Sequence, residues 1–515
     1  MADRLTEKSY EESSPPVVRV LGFFGGLVVF FLLLGIDLDP GKPQIGRMAA
    51  ITALMAVWWM TEALPIPVTS LLPLALFPVL KIMSGKLTAP LYMDSNIFLF
   101  LGGFFIALTI EKWGLHKRIA LWIIYLIGSR PRQIVLGFML ATAGISMWIS
   151  NTATAMMMLP IGLSIIKQAR DMAKTPESVD NFALVLMLGI AYSASIGGMG
   201  TFVGTPPNII FRAVFEITFP DAPKISFLQF MLWGMPVALS FLLISWVILV
   251  YLIAPLGKEP LMGEGGIIKQ ELQNLGPLSR PEMTILAIFL STALLWIFRV
   301  SIDLGPLVIP GWANLMGLEK TIDDGTVAMT MGIILFLIPA NLKTGEFLLD
   351  WETALKVPWG VLLLFGGGFA LAAGIKDSGL SEYMVNYFVG LKNLHPFFLI
   401  VLVCLFITAL SELMSNTACA QMILPVVARL AVAIGVNPLL LMVPATLAAS
   451  CGFMLPVATP PNAIVYSSGY IPVRKMAKAG IYLDIIAAII ISVVVWFSLK
   501  FIGHIEPTVL PVWAK

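Results

Sequence analysis

The side chains best suited to hold a small polar ligand form a tripeptide that occurs twice, as Ser150-Asn151-Thr152 and as Ser415-Asn416-Thr417. Each copy interrupts a long apolar stretch, and each follows a serine placed four residues before its first residue, Ser146 or Ser411. Hydroxyl and carboxamide groups can donate hydrogen bonds to a carboxylate, and their oxygen atoms can bind a metal ion. Because polar groups in hydrocarbon are costly unless they have partners, two copies at equivalent places predict a shared binding role.

A second polar element also occurs twice, as Gly204-Thr205-Pro206-Pro207-Asn208 and as Ala458-Thr459-Pro460-Pro461-Asn462. Gly197 and Gly198 precede the first copy, and Gly452 precedes the second. Glycine weakens a helix and paired prolines stop it, whereas proline is well suited to begin the next one. We therefore expect two broken helices. Their freed carbonyl groups suit a cation such as Na⁺, and the N-termini of the half-helices suit a carboxylate.

These elements belong to an internal repeat. Gly102 and Gly367, Ser150 and Ser415, and Pro160 and Pro425 are all separated by 265 residues (367 − 102, 415 − 150 and 425 − 160). The two Thr-Pro-Pro-Asn copies are separated by 254 residues (462 − 208), so a connection is shorter in the second half. Five predicted spans in each half would insert the two halves in opposite directions. Inverted repeats are typical of secondary transporters.

The composition predicts a multi-pass membrane protein. The 515 residues are 58% hydrophobic and 12% charged, with a mean hydropathy of +0.92. The net charge of +2 gives no indication of nucleic-acid binding. Eleven apolar stretches are long enough to cross a hydrocarbon core of about 30 Å. They are 17–35, 46–63, 66–82, 96–128, 182–212, 227–255, 282–302, 326–341, 357–390, 438–470 and 480–502.

The two tripeptides lie in further apolar stretches, 133–166 and 397–428, and flanking charges predict how these run. Lysines and arginines flank 133–166 at both ends, whereas the flanks of 397–428 hold only Lys392 and Arg429. By the positive-inside rule, both stretches are expected to be re-entrant hairpins, the first entering from the cytoplasm and the second from outside. The N-terminus is expected inside, and the C-terminus outside.

The expected organisation follows from these assignments. It is a cytoplasmic tail at 1–16, a first transmembrane helix at 17–45, a first inverted repeat at 46–256, a cytoplasmic linker at 257–281, a second inverted repeat at 282–502 and an external tail at 503–515. The first repeat contains the hairpin 133–166 and the broken helix 182–212. The second contains the hairpin 397–428 and the broken helix 438–470.

Other residues give weaker indications of chemistry. Glu412 is an intramembrane carboxylate, but its repeat partner is Met147, so it lies outside the symmetric core. Such a group is a functional candidate by default, and a structural role or a place in a solvated cavity is the favoured alternative. The sequence has no Walker A motif, and its three histidines form no nucleophile–base or HExxH arrangement. Neither ATP-driven transport nor an intramembrane enzyme is therefore indicated.

The doubled Ser-Asn-Thr and Thr-Pro-Pro motifs, at comparable spacing, resemble those of the divalent anion/sodium symporter family, the INDY-type dicarboxylate and citrate carriers. The resemblance extends from about Val17 to Ile502. It implies an all-α polytopic fold of about 11 helices plus two re-entrant hairpins. It also implies a homodimer with scaffold and transport domains that works by an elevator movement in the cell membrane.

The same resemblance implies where ligands bind. Carboxylates of the substrate would contact both tripeptides, with Thr205, Pro206, Thr459 and Pro460 completing the walls. One Na⁺ would bind at Ser146, Ser150, Asn151 and a carbonyl near Gly197 or Gly198. A second would bind at Ser411, Ser415, Asn416 and a carbonyl near Gly452 or Ala458.

We therefore expect Na⁺-coupled symport of C4-dicarboxylates or a related small dianion. A Na⁺-independent dicarboxylate exchanger of the same fold is the alternative within transport. An ion channel is the alternative from another class, and the inverted hairpins argue against it.

Overall fold

The computed structural model describes residues 15–172, 176–257, 266–303, 308–388, 390, 394–503 and 505–514, and these are mostly helical. The helices of the first half are α1 (Pro16–Gly35), α2 (Pro43–Thr61), α3 (Ile66–Thr69), α4 (Leu72–Val79), α5 (Gly85–Thr88), α6 (Ser95–Lys112), α7 (Leu115–Ile127), α8 (Pro131–Ser146), α9 (Asn151–Met172), α10 (Pro176–Gly198), α11 (Pro206–Thr218), α12 (Phe227–Val247) and α13 (Gly266–Asn274). A 3₁₀ turn (Ala89–Met93) follows α5, and a π-helical turn (Ile248–Ile253) extends α12.

The second half repeats the pattern. Its helices are α14 (Arg280–Ile297), α15 (Trp312–Leu315), α16 (Asp324–Leu337), α17 (Trp351–Ala354), α18 (Trp359–Asp377), α19 (Leu380–Phe388), α20 (Pro396–Ser411), α21 (Asn416–Ile434), α22 (Leu439–Ala448), α23 (Pro460–Tyr466) and α24 (Val473–Phe497), which a π-helical turn (Ser498–Ile502) extends. A 3₁₀ turn (Val512–Ala514) lies near the C-terminus. Two antiparallel hairpins lie in connections, β1 (Ile302–Asp303) with β2 (Val308–Ile309), and β3 (Pro339–Asn341) with β4 (Glu346–Phe347).

The all-helical membrane fold predicted from the composition is confirmed, with refinements. Among the described residues, eight helices are long and apolar enough to cross a membrane, and four shorter apolar helices accompany them. The long stretch 96–128 divides into α6 and α7 at Gly114, which has a φ of +72°. Likewise, 357–390 divides into α18 and α19 at Gly379, with a φ of +79°. The stretch 326–341 ends as a helix at Leu337, because residues 339–341 pair as a strand.

Each predicted hairpin consists of two helices that meet at a non-helical tip. The tip of the first is 147–150, between α8 and α9, and the tip of the second is 412–415, between α20 and α21. The first arms, α8 and α20, have 16 residues each. A 16-residue helix is about 24 Å long, which is less than the hydrocarbon thickness of about 30 Å. The second arms, α9 and α21, have 22 and 19 residues, and α21 is among the eight helices long enough to cross a membrane. The re-entrant course of the hairpins therefore stays a prediction from the flanking charges.

The helices can be grouped into two sets by which of them carry the hairpins and breaks, and the two sets also pack on each other, α11 and α21 against α18. We call residues 131–253 and 396–502, where described, the site-bearing body, because it contains both hairpins and both broken helices. We call residues 16–127 and 280–388, where described, the frame. Within the body, α10 packs on α8 and α9, and α12 packs on α24; within the frame, α6 packs closely on α16 and α1 packs on α2. The amphipathic helices α7 and α19 lie along the boundary, against α8 and α21 respectively.

Close backbone approaches hold the frame together in the same way in each repeat. A Cβ atom added to Gly102 of α6 would lie 2.4 Å from the backbone of Ala328. One added to Gly367, the repeat partner of Gly102 in α18, would lie 2.5 Å from the carbonyl oxygen of Ser70. Small residues at helix contacts are typical of membrane proteins, since they let backbones pack directly. The repeated glycines Gly102 and Gly367 therefore serve close helix packing in the frame.

An ion pair joins the end of α6 to the residue that caps α17, and both helices belong to the frame. The Lys112 ammonium group donates to the Asp350 carboxylate over 2.7 Å, and this hydrogen bond lowers the pKa of Asp350 to about 2.

Several of the expectations from the sequence lie outside the described residues. They concern the tail at 1–14, part of the linker at 258–265, and the flanking charges Lys174, Lys258 and Lys392.

Candidate functional site

The first hairpin tip meets the first helix break through a cluster of oxygen atoms. The Ser146 hydroxyl, at the end of α8, donates to the carbonyl oxygen of Ala194 over 2.7 Å. Asn151 begins α9, and its Oδ1 position lies 2.7 Å from Ser146 Oγ, 3.0 Å from Ala194 O and 3.3 Å from Gly204 O. Ser146 is fully buried, and Asn151 is half-buried. The hairpin and both sides of the break thus converge on one carboxamide.

This cluster has the chemistry of a sodium site. Rotation of the Asn151 amide places its nitrogen within hydrogen-bond distance of all three oxygen atoms, and its two N–H groups can donate to two of them at a time. With the other orientation, the carboxamide oxygen joins a set made only of oxygen atoms, which suits a hard cation. The same side chain can therefore bind Na⁺ or satisfy the oxygens by hydrogen bonds. Among the described residues, no group of three or more His, Cys, Asp or Glu side chains is placed to hold a metal ion.

The second tip repeats this arrangement at its own helix break. The Ser411 hydroxyl lies 2.7 Å from Asn416 Oδ1 and donates to the carbonyl oxygen of Ala449 over 2.8 Å. Ala194 and Ala449 are separated by 255 residues (449 − 194), one more than the Thr-Pro-Pro-Asn copies. This shift accompanies the earlier end of α22, which stops at Ala448, whereas α10 continues to Gly198. The two half-sites are therefore alike in chemistry but differ in backbone register.

The serine of each tripeptide caps the helix that follows it. Ser150 Oγ accepts a hydrogen bond from the Ala153 amide over 3.3 Å, and Ser415 Oγ accepts one from Ala418 over 3.4 Å. Thr152 and Thr417 lie in the first turns of α9 and α21 and are half-buried. Both tripeptides thus present hydroxyl groups and helix N-termini at accessible positions. Helix N-termini favour bound anions such as carboxylates.

The asparagines of the Thr-Pro-Pro-Asn copies hold the breaks open. Asn208 donates from Nδ2 to the carbonyl oxygens of Gly198, over 3.0 Å, and Thr201, over 2.6 Å. Asn462 donates in the same way to Gly452 and Leu455, over 3.0 Å each. These bonds replace helical partners that the breaks remove, so each break is a defined structure.

Buried oxygen atoms without a protein partner recur symmetrically beside both breaks. Within the described structure they are Oδ1 of Asn208 and Asn462 and Oγ of Ser195 and Ser450. Buried polar groups in proteins are normally partnered. Their presence in both halves fits sites that receive cations, and it extends the oxygen-rich character beyond the tripeptides.

Two different contacts fasten the tips to the breaks. In the first half, the Thr201 hydroxyl donates to the carbonyl oxygen of Met147 over 2.5 Å. In the second half, the Glu412 carboxylate accepts from the amides of Met454 and Leu455 over 2.7 Å and 3.2 Å. Glu412 therefore turns away from the tripeptide and fixes the break, which accounts for its buried position. The structural role considered from the sequence is the one that this geometry supports.

The other candidate residues occupy distinct places. Thr205 and Thr459 are buried at the N-caps of α11 and α23, and Thr459 Oγ1 accepts from the Asn462 amide over 3.4 Å. Pro206 is half-buried and Pro460 is exposed, each at the first position of its helix.

The candidate glycines divide between packing and the oxygen clusters. Gly197 packs on the Ala143 backbone, where an added Cβ would be 2.3 Å from a carbonyl oxygen, so it serves helix contact. Gly198 lies beside the Asn151 carboxamide, and Gly452 lies beside Ala458 and Thr459.

The two half-sites interlock. The second arm of hairpin one, α9, packs on α23, and the second arm of hairpin two, α21, packs on α11. Each tripeptide helix thus contacts the half-helix of the opposite repeat. The carbonyl groups of Ala194, Gly204 and Ala449 were absent from the residues predicted from the sequence. Every residue type has a backbone oxygen, so residue identity gives no signal for such a ligand. Only the nearby glycines and prolines, which interrupt the helices, indicated where carbonyl groups would lose their helical partners.

We expect Asn208→Ala and Asn462→Ala each to destabilise the protein by about 2 kcal/mol or more, because two buried carbonyl groups lose their donor. The thermal unfolding midpoint in detergent should fall for both variants. Asn314→Ala is the matched control and should change the midpoint little, because Asn314 is exposed in the short helix α15, where it accepts from the Ser301 amide. Equal midpoints for all three variants would contradict the bracing role.

Comparison with known proteins gives the class of this chain. A family model described as "Sodium:sulfate symporter transmembrane region" matches residues 20–502. The sodium-dependent dicarboxylate transporter SdcS of Staphylococcus saprophyticus is 41% identical over 503 residues, covering 97% of this chain and 95% of the relative. SdcS of Staphylococcus aureus (strain NCTC 8325 / PS 47) is 42% identical over 493 residues, covering 95% and 92%.

Two solved structures are similar in fold. Neisseria gonorrhoeae MtrF, described as illuminating a class of antimetabolite efflux pumps, has a TM-score of 0.53 at 12% identity, covering 80% of this chain and 82% of MtrF. The Alcanivorax borkumensis YdaH transporter has a TM-score of 0.52 at 13% identity, covering 80% and 85%. The fold is that of a multi-pass membrane transporter, and the named relatives and the family identify the chain as a transporter and not as an enzyme. The chain belongs to the sodium:sulfate symporter family. The resemblance drawn from the motifs is thereby confirmed.

Proposed function

We propose that this protein is a secondary-active carrier that couples the movement of Na⁺ to the uptake of C4-dicarboxylates such as succinate, malate or fumarate. The observation that carries the proposal is the paired site, in which a tripeptide, a serine and a helix break form the same oxygen cluster twice. Relatives that are 41–42% identical over nearly the full chain are named sodium-dependent dicarboxylate transporters, which supports both the ion and the substrate class.

One Na⁺ would bind in each half-site. The first would use Ser146 Oγ, Asn151 Oδ1 and the carbonyl oxygens of Ala194 and Gly204, which already surround the amide. The second would use Ser411, Asn416 and the Ala449 carbonyl. Five further residues would lie beside the bound ions: Ser150, Ser415, Gly198, Gly452 and Ala458. Two cations beside a dianion would cancel its charge, and this lowers the cost of burying it.

The substrate carboxylates would bind between the two tripeptides. Thr152 and Thr417 would donate hydroxyl hydrogen bonds, and the N-termini of α9 and α21 would add favourable partial charge. The Asn151 and Asn416 amides would each offer an oxygen to Na⁺ and a nitrogen to a carboxylate. Sharing one carboxamide in this way makes the binding of ion and substrate mutually favourable, which is the physical basis of symport.

The two-body architecture supports an elevator movement, in which the site-bearing body slides against the frame. We place the protein in the cell membrane with its N-terminus inside and its C-terminus outside, as the flanking charges predict. A homodimer joined through the frame is the assembly we propose, because a fixed frame in each protomer gives the body a support to move against.

The test is uptake of radiolabelled succinate into proteoliposomes with and without an inward Na⁺ gradient. Na⁺-driven accumulation is the expected result, with K⁺ replacing Na⁺ as the control. Uptake that does not respond to Na⁺ would contradict symport and favour the Na⁺-independent exchanger. In that case, succinate preloaded inside the vesicles would accelerate uptake. An absence of succinate uptake under every condition would contradict the assignment to dicarboxylates.

A further inference from the structure

We propose that Arg212 and Asp324 form an ion-pair clamp that holds the site-bearing body against the frame in one end state of the transport cycle. This inference rests on the movement proposed above. Arg212 belongs to the half-helix α11 of the body, and Asp324 begins α16 of the frame. The Arg212 guanidinium donates to Asp324 Oδ2 over 2.7 Å, and the two residues are 5% and 0% exposed.

Each body contains a second charged residue that can pair with its own member of the clamp after the two bodies separate. On the frame side, Arg299 donates to Asp324 Oδ1 over 2.5 Å. On the body side, Glu216 lies one turn after Arg212, with 3.4 Å between Oε1 and Nε. When Arg212 leaves Asp324, each body therefore retains one internal ion pair. A buried charge left without a partner would be very costly, and this division avoids that cost.

Two further contacts extend the clamp over the C-terminal part of α11. Asn96 of the frame donates to Glu216 Oε2 over 3.2 Å, and the Lys376 ammonium group of α18 donates to the carbonyl oxygen of Ile217 over 2.8 Å. The C-terminal part of α11 thus makes hydrogen bonds with three frame helices, α6, α16 and α18.

The clamp also reaches the first half-site. The Arg212 guanidinium lies 5.1 Å from the ring centre of Phe202, a residue of the first helix break. Arg212 therefore contacts a residue two positions before Gly204, whose carbonyl group borders the proposed sodium site.

A difference between the repeats is the reason for assigning this clamp to one end state. The relation that pairs Asn208 with Asn462 assigns Tyr466 and Tyr470 to the positions of Arg212 and Glu216 (212 + 254 and 216 + 254). The second broken helix thus carries no equivalent ion pair. In an inverted repeat, the two halves exchange environments between the end states, so the clamp stabilises the state in which α11 lies against the frame.

The test is a distance measurement by pulsed electron–electron double resonance in nanodiscs. Spin labels are placed at Ser467→Cys in the body and Leu342→Cys in the frame, both exposed, while the three native cysteines are buried. Arg212→Gln should lower the ratio of the clamped to the released population by about tenfold or more, with Arg212→Lys giving a smaller shift. Lys112→Gln, which breaks an ion pair wholly inside the frame, is the matched control and should leave the ratio unchanged.

The outcomes separate the clamp from the movement on which it rests. Two distances in the wild type with an unchanged ratio in Arg212→Gln and Arg212→Lys would overturn the clamp alone. One distance in every sample, with or without Na⁺ and succinate, would contradict both the movement and the clamp. Na⁺-dependent binding of succinate by each variant shows that it is folded. If Arg212→Gln does not bind succinate, the test rests on Arg212→Lys. An unchanged ratio of the clamped to the released population in Arg212→Lys would then overturn the clamp.

Discussion

Asn151→Ala and Asn416→Ala should each reduce Na⁺-driven succinate uptake by about a hundredfold, since each removes an ion ligand and a substrate donor at once. Asn151 lies within 3.3 Å of three oxygen atoms from two other segments, so no neighbouring side chain can take its place. Initial rates of uptake in proteoliposomes with matched protein content measure the loss.

Asn314→Ala, at an exposed position of α15, serves as the control for the asparagine-to-alanine change and should transport normally. Monodisperse elution and an unchanged unfolding midpoint would show that the loss is functional. If both tripeptide variants transported at near-normal rates, the tripeptides would be helix-packing elements and the proposed site would be wrong.

Gly198→Ala should abolish Na⁺-dependent transport, because the added methyl group enters the first oxygen cluster. Its Cβ would lie 2.6 Å from Asn151 Oδ1 and 3.1 Å from the Gly204 carbonyl oxygen, closer than carbon and oxygen atoms pack. Gly144→Ala, in the first arm of the same hairpin, has no heavy atom within 4 Å of the added Cβ and is the matched control. The Na⁺ concentration needed for half-maximal uptake should rise at least tenfold in any Gly198→Ala protein that still transports.

The second half-site should respond differently to the equivalent change. The Cβ of Gly452→Ala would meet Ala458 and Thr459 at 3.4 Å, which is ordinary contact. We therefore expect Gly452→Ala to reduce uptake only a fewfold. Similar, mild effects at Gly198 and Gly452 would show that the first cluster does not hold an ion at the place we assign.

The elements predicted best from the sequence were those marked by residues that stop a helix or that are rare in apolar stretches. Paired prolines fixed where α11 and α23 begin, because proline lacks the N–H group that a helix interior requires. The polar tripeptides stood out because Ser, Asn and Thr are rare and costly in apolar stretches. The 265-residue repeat then related the two halves without any knowledge of their folding.

What the sequence left undetermined depends on long-range contacts and on the backbone. The Arg212–Asp324 pair joins residues 112 positions apart, and no local pattern indicates such a partner. The Ala194 and Ala449 carbonyls enter the site through helix register, which shifts by one residue between the repeats. Glu412 was a candidate ligand because of its charge, yet it is used to hold two backbone amides of the second break.

Equilibrium binding of radiolabelled succinate at several Na⁺ concentrations tests whether each shared carboxamide links ion and substrate. We expect Na⁺, but not K⁺ at the same ionic strength, to tighten succinate binding at least tenfold, and succinate to tighten Na⁺ binding by the same factor. Asn151→Ala and Asn416→Ala should each weaken this coupling. Succinate affinity that is independent of Na⁺ in the wild type would contradict the claim.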